Sequence, residues 1–216
     1  WITHELVDGF GITDKLTSES AQSIYDQISE CLTKPEFKPR ALYERFNVEV
    51  LTTTDAATDS LTHHQAIRDS GWQGQIFPTF RPDKAIKLDM PDWSAEIDAL
   101  SEVSGVTVTD YATLIQALEK QRAFFKVMGA TATDHGVDNS GPYTEALSSQ
   151  EADALMQRAF KGEATSDDRV RFIAHMLIEF ARMSTEDGLV MQIHPGSYRN
   201  HNQQLFDRFG GDSGSD

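Results

Sequence analysis

The fold is decided by residues 188–194, GLVMQIH, a short apolar run that ends in a histidine. Three other runs share this character: VEVLTT at residues 48–53, GQIFP at residues 74–78 and FKVMGAT at residues 125–131. Short apolar runs that are rich in β-branched and aromatic residues and bounded by small or polar ones are typical of buried strands. We therefore predict four strands at these positions.

Helical patterns separate the predicted strands. The first carries Ile24, Ile28 and Leu32 on one face, at a spacing of four, and Ser148 and Thr165 each open a capping box that begins a later helix. The predicted helices cover residues 16–32, 59–68, 110–124, 148–160 and 165–183. Alternation of strand and helix favours a parallel sheet covered by helices over a sandwich or a helical bundle.

Each predicted strand ends in a polar or turn-rich cluster, at residues 54–55, 79–83, 133–136 and 194–200. In an α/β barrel the carboxyl ends of the strands surround one mouth, whereas an open doubly wound sheet gathers such groups only near a switch point. Four βα units are half of an eight-unit barrel. We therefore predict an α/β fold, a partial (β/α)8 barrel that forms one domain over residues 1–216.

Composition limits the function. The 216 residues are 39% hydrophobic, with 12 Phe and 3 Trp for a core, and the formal net charge is −15. Such a surface repels nucleic acid and anionic membranes, so we expect neither as the main partner. A single Cys excludes an internal disulfide framework and a Cys-rich zinc site, and no apolar run approaches the ~18–20 residues of a membrane span. We expect a soluble, cytoplasmic protein.

The two ends favour a segment of a longer protein. The chain begins at Trp1 and stops after the loop-like residues 210–216, GGDSGSD. The alternative is a matured or short protein with a flexible tail.

Several short segments carry a resemblance to a known family. They are WxxxELxxxFGI at residues 1–12, FNVEV at 46–50, TTD at 53–55, DSL at 59–61, PTFRPDKA at 78–85, DH at 134–135 and HxGxxRNxN at 194–202. In this order and at this spacing they resemble uronate isomerase, of the amidohydrolase-like superfamily. The last segment departs from the family form at Pro195, Ser197, Tyr198 and His201, which bears on loop shape more than on chemistry.

The resemblance implies an enzyme. Members form a distorted (β/α)8 barrel of about twice this length, and the chain resembles strands two to five of it. The activity implied is aldose–ketose isomerisation of hexuronates, D-glucuronate to D-fructuronate and D-galacturonate to D-tagaturonate. A divalent metal ion, zinc or manganese, is implied as cofactor, with a His-x-His pair and an Asp from the absent strands. We expect the intact protein to be a homo-oligomer and these residues alone to be inactive.

Arg81 is the first candidate site residue. A guanidinium can clamp the carboxylate of a uronate through two parallel hydrogen bonds, and the resemblance implies an active-site arginine here. The alternative is a structural ion pair with Asp55 or Asp83. The following cluster adds Asp134 and His135, which could act as a carboxylate and the imidazole it orients, although neighbours in sequence need not face each other.

The last cluster supplies three further candidates. The resemblance implies that His194 is a metal ligand, with substrate contact as the alternative. Arg199 and Asn200 could bind the carboxylate or hydroxyls of a sugar acid, or could stabilise a loop. Two other functions stay open at this point: a metal-dependent hydrolase of the same superfamily, and a non-catalytic acidic half-barrel module.

Overall fold

Four parallel strands form one sheet in the order β1-β2-β3-β4, which is also their order along the chain. They are β1 Val50–Ala56, β2 Gln75–Arg81, β3 Ala132–Val137 and β4 Val190–Pro195. The computed structural model describes residues 1–137, 146–195 and 201–210. Sequential parallel strands joined through helices are the arrangement of consecutive strands in a (β/α)8 barrel, so the predicted α/β class is confirmed.

Helices precede, connect and follow these strands. They are α1 Ile2–His4, α2 Ala21–Leu32, α3 Pro39–Arg45, α4 Thr62–Asp69, α5 Trp93–Ser104, α6 Tyr111–Val127, α7 Ser149–Phe160, α8 Ser166–Asp187 and α9 Gln203–Phe209. A π-helical turn spans Glu5–Gly9, and 3₁₀ turns span Pro35–Phe37 and Asp83–Ile86. Helix α5 lies in a stretch for which the sequence pattern gave no prediction.

Both predicted capping boxes are present. The Ser148 hydroxyl accepts from the N–H of Glu151 at 3.3 Å, and the Glu151 carboxylate accepts from the N–H of Ser148 at 2.9 Å. Thr165 and Asp168 make the same reciprocal pair at the start of α8. These bonds satisfy N–H groups that the first helical turn leaves without partners, which explains why the sequence located both starts.

The prediction of a strand at residues 125–131 is wrong. Helix α6 continues to Val127 and ends in a Schellman motif, in which Gly129 adopts a φ of 97° and the N–H of Ala130 donates to the carbonyl of Phe125 at 2.9 Å. Phe125 is buried because it lies on the same helical face as Leu118, seven residues earlier. The strand follows the glycine as β3, so Asp134 and His135 lie inside a strand and not after it.

The first two strands extend further than predicted. β1 ends at Ala56, and β2 continues to Arg81, beyond Pro78, where the predicted strand ended. The described register between β2 and β3 pairs Phe80 with Thr133, beyond that proline. Arg81 is therefore the last residue of a strand, where its side chain direction is fixed by the pleat.

Two predicted helices begin later than expected. α4 starts at Thr62 because the carboxylate of Asp59 accepts from the N–H of Leu61 at 2.6 Å and holds the chain in a turn. α2 starts at Ala21, after a turn in which the Thr17 hydroxyl accepts from the N–H of Ser20 at 3.2 Å.

The chain divides into two compact units, Trp1–Leu51 with Gln73–Gln75, and Thr52–Trp72 with Ile76–Asp216. The first has a small core of Leu6, Ile12 and Ile24. The second has the larger core, in which the sheet packs on the helices that connect its strands. The expectation of one domain over residues 1–216 stays a prediction, because compactness alone does not show whether either unit folds independently.

Among the described residues, no helix is both long and apolar enough to cross a membrane.

Candidate functional site

Polar side chains from three neighbouring strands form a chain of contacts. Arg81, at the end of β2, approaches Asp134 of β3, with 3.3 Å between Nη1 and Oδ2. Asp134 in turn lies beside His194 of β4, with 3.5 Å between Oδ1 and Nδ1. The parallel register sets this order, because it pairs Asp134 with Gln192 and Gly136 with His194. The predicted meeting of polar groups at the carboxyl ends of the strands is observed for these three residues.

Arg81 has a second carboxylate partner. Its Nε donates to Oδ2 of Asp83 at 2.8 Å, from the 3₁₀ turn that follows β2. Partial burial works against the charged form of Arg81, but the hydrogen bond and charge of Asp83 and the charge of Asp134 outweigh it and raise the pKa of Arg81. The guanidinium is therefore charged at any physiological pH, and its Nη2 carries two N–H donors beyond these contacts.

Asp83 also holds the end of β3. Both of its carboxylate oxygens accept from the N–H of Gly136, at 3.2 and 3.1 Å. A Cβ at Gly136 would lie 2.6 Å from Oδ2 of Asp83 and 2.7 Å from Nη2 of Arg81. Asp55 and Asp83 were the expected partners in a structural ion pair of Arg81, and the pair with Asp83 is observed. Asp83 and Gly136 were not among the predicted site residues.

The structure separates Asp134 from His135. Successive residues of a strand point to opposite faces, so Asp134 reaches Arg81 while His135 packs in the core against Phe180, with 4.7 Å between the ring centroids. The His135 Nε2 lies 2.8 Å from the hydroxyl of Thr133, which shares its face. Within the described part of the chain, His135 is not brought to the charged strand ends.

The environment of His135 keeps it neutral. Burial is the largest cause, and the positive charge of Arg122 is the second; together they lower the pKa of His135 to about 4. The side chain of His194, by comparison of burial alone, is 63% exposed and lies beside Asp134.

Two predicted site residues, Arg199 and Asn200, lie outside the described residues. A metal ion implied by the family resemblance needs at least three converging ligands. Across residues 1–137, 146–195 and 201–210 no three His, Cys, Asp or Glu side chains converge in that way. Asp134 is moreover already paired with a cation, Arg81. The described residues therefore do not make a metal site by themselves.

Comparison with known proteins relates the chain to one family. The sequence model described as glucuronate isomerase matches residues 1–216. Among curated relatives, the uronate isomerase of Nostoc punctiforme is 50% identical over the whole chain, and that of Brucella canis is 47% identical. The chain spans 45% and 46% of these relatives, which is under half of their length.

Two solved structures share the fold. The crystal structure of glucuronate isomerase from Caulobacter crescentus superposes with a TM-score of 0.88 at 41% identity, and all of this chain covers 45% of that one. The uronate isomerase of Thermotoga maritima gives a TM-score of 0.87 at 30% identity, with 47% of it covered. The likeness therefore holds over the full chain in both sequence and structure.

Proposed function

Because the chain belongs to the glucuronate isomerase family, we propose that it forms part of an enzyme that interconverts aldose and ketose hexuronates. The reactions are D-glucuronate to D-fructuronate and D-galacturonate to D-tagaturonate. Since the chain spans under half of its relatives, the activity is proposed for the whole protein that contains it. The observation that carries the proposal is the link from Arg81 through Asp134 to His194 across three neighbouring strands.

Isomerisation of this kind moves a proton from C2 to C1 while the carbonyl moves from C1 to C2. The reaction needs a base and an acid, and a cation or hydrogen-bond donor for the oxygen that becomes negative in the enediolate. Arg81 is proposed as that donor, or as the clamp on the substrate carboxylate, through the N–H groups of Nη2. Hydrogen bonds from Nη2 would help to fix the sugar acid in one orientation.

The two carboxylates around Arg81 affect whether it can bind the substrate carboxylate. Asp83 and Asp134 together carry two negative charges against one positive charge, so this corner by itself does not attract an anion. Capture of the uronate carboxylate therefore needs a further cation, and Arg199 is the residue we propose for it. Asn200 is proposed to bind sugar hydroxyls.

Asp134 is proposed as a proton-transferring group. Its carboxylate is 11% exposed and contacts a guanidinium on one oxygen and an imidazole nitrogen on the other, which orients it toward the strand ends. His194 is proposed as the metal ligand, completed by residues outside this chain, with zinc or manganese as the ion. His135 was predicted as catalytic; we propose that it acts only through the packing of β3.

The cellular setting is proposed on the same basis. We expect the whole protein to act in the cytoplasm as a homo-oligomer on its small-molecule substrate, with neither nucleic acid nor membrane as a partner.

The test is to incubate the whole protein with each uronate and follow ketose formation by ¹³C NMR. We expect fructuronate from glucuronate and tagaturonate from galacturonate, and no turnover by residues 1–216 alone. Failure of the folded whole protein to convert either uronate would contradict the proposal. Cleavage of esters or amides in a parallel screen would favour the hydrolase alternative, which the family match does not support.

A further inference from the structure

We propose that Asp83 and Gly136 are positioning residues that set the direction of the Arg81 guanidinium toward substrate. This inference rests on the proposed function, because it concerns an arginine assigned to the isomerase site. It adds two residues that do not themselves reach the substrate. Asp83 would act through Arg81, and Gly136 would act by leaving room for both side chains.

The Asp83 carboxylate bonds to residues of two strands, β2 and β3. Its side chain is only 12% exposed and accepts from Nε of Arg81 at 2.8 Å. The same carboxylate accepts from the Gly136 N–H through both oxygens. It thus fastens the end of β2 to the end of β3, the two strands that supply Arg81 and Asp134. A guanidinium that is bonded at Nε by Asp83 and contacted at Nη1 by Asp134 has little freedom to turn.

Gly136 is required for steric reasons. Its φ is not in the left-handed region, so backbone conformation does not call for glycine here. A Cβ would instead approach within 2.6 Å of Asp83 and 2.7 Å of Arg81, closer than carbon approaches oxygen or nitrogen. An alanine would therefore push the two partners apart or move Arg81 off its present direction.

The test uses a double-mutant cycle in the whole protein, with Asp83→Asn, Arg81→Gln and the combined variant. Asparagine keeps the shape of Asp83, but its amide N–H would face either the Nε–H of Arg81 or the N–H of Gly136. Two donors cannot bond to each other, so one of the two hydrogen bonds is lost. We expect kcat/KM to fall about 30-fold for Asp83→Asn, since displacements of about 1 Å at a reacting group cost up to 100-fold. In the Arg81→Gln background we expect Asp83→Asn to have almost no further effect, because Asp83 acts only through that arginine.

A purely structural role predicts a different result. Asp83→Asn would then lower kcat/KM by the same factor in both backgrounds and would lower the thermal midpoint to match. Additive effects of that kind overturn the proposal. Asp110→Asn is the matched control, because Asp110 also accepts a backbone N–H, that of Thr113 at 2.8 Å, but caps α6. We expect it to leave kcat/KM unchanged.

Gly136→Ala gives an independent test. We expect kcat/KM to fall by about 10- to 100-fold, and by much less in the Arg81→Gln background, where the crowded guanidinium is absent. Gly9→Ala is its control, because a Cβ at Gly9 meets no atom within 4 Å. Full activity of folded Gly136→Ala would contradict the steric argument. If the unmodified protein converts neither uronate, the proposed function fails first; if it does and both variants match it, only this inference fails.

Discussion

Arg81 and Arg122 each pair a guanidinium with aspartate, but on opposite faces of the sheet. Arg81 follows Phe80 in β2, is 37% exposed, and contacts Asp83 and Asp134 at the strand ends. Arg122 lies over the Phe80 ring, 5.8 Å from its centroid, on the side where α6 packs. Its side chain is 1% exposed and donates hydrogen bonds to the carboxylate of Asp187 in α8, from Nε at 2.6 Å and from Nη2 at 3.0 Å.

The difference in burial separates the two roles. A buried guanidinium has no water to replace a lost carboxylate, so its pair serves the fold. An exposed one exchanges partners at little cost in stability and can turn to a ligand. Substitution of Arg122 should therefore lower the free energy of unfolding, and substitution of Arg81 should lower turnover. Four predictions test that division, each in the whole protein that contains this chain.

The largest effect is expected for Arg122→Met. Methionine fills much of the space, but it leaves the Asp187 carboxylate, which is 24% exposed, with the Leu189 N–H and without its guanidinium partner. We expect the free energy of unfolding to fall by about 3 kcal/mol, at the low end for a broken buried pair. Urea denaturation followed by circular dichroism measures it.

Arg182→Met is the control for that experiment. Arg182 has three carboxylate partners, Glu119, Glu179 and Glu186, yet it is 36% exposed. Three exposed ion pairs are expected to contribute no more than about 1 kcal/mol. An equal loss in both variants would mean that the number of partners, and not burial, decides stability.

A pH dependence of similar size is expected from His135, which lies near Arg122 in the core. Its pKa is about 4 in the folded chain, against an ordinary value of 6.5. Between these two values the unfolded chain binds a proton that the folded chain does not, so stability falls as the pH is lowered. The contribution is complete above pH 6.5 and its loss reaches about 3 kcal/mol near pH 4.

Urea unfolding at several pH values measures this dependence. His135→Gln, which does not titrate, should lose less stability between pH 7 and pH 4 than the unmodified protein. His63→Gln, at an exposed position on α4, should behave like the unmodified protein. Identical pH profiles for His135→Gln and the unmodified protein would show that His135 accepts its proton as readily in the folded state.

Arg81→Lys should have the opposite effect to Arg122→Met: a large loss of turnover with little loss of stability. Lysine keeps the charge but loses the planar set of N–H donors, so we expect kcat/KM to fall about 100-fold. This corresponds to about 2.7 kcal/mol of transition-state stabilisation. The free energy of unfolding should change by less than about 1 kcal/mol. Arg182→Lys is the control for turnover, and near-normal kcat/KM for Arg81→Lys would remove this arginine from the site.

Local patterns predicted much of the fold, and they failed where local signals conflicted. Ser148 and Thr165 begin helices through bonds that span three residues, so the sequence contains the whole motif. Residues 125–131 combine a helix end and a turn in one apolar run. Their strand-like composition outweighed the signal of Gly129, whose positive φ ends α6.

The contacts of the site are long-range, which is why only some of its residues could be predicted. Arg81, Asp134 and His194 stand out because they follow or end apolar runs. Asp83 bonds to Gly136 across 53 positions, and neither residue has a local signal for this contact. The Arg122–Asp187 pair spans 65 positions, and an arginine in a helix gives no indication that it is buried.

The smallest effect is expected for Phe80→Leu, at the ring that Arg122 covers and that precedes Arg81 in β2. The change removes the contact with the Arg122 guanidinium and an edge-to-face contact with Phe125 at 5.1 Å between centroids. We expect a loss of about 1–2 kcal/mol in unfolding free energy, with kcat/KM unchanged because Phe80 points away from the strand ends. Phe160→Leu, at a ring that is 37% exposed, should cost less. A fall in kcat/KM like that of Arg81→Lys would mean that the core face and the site face of β2 are coupled through this ring.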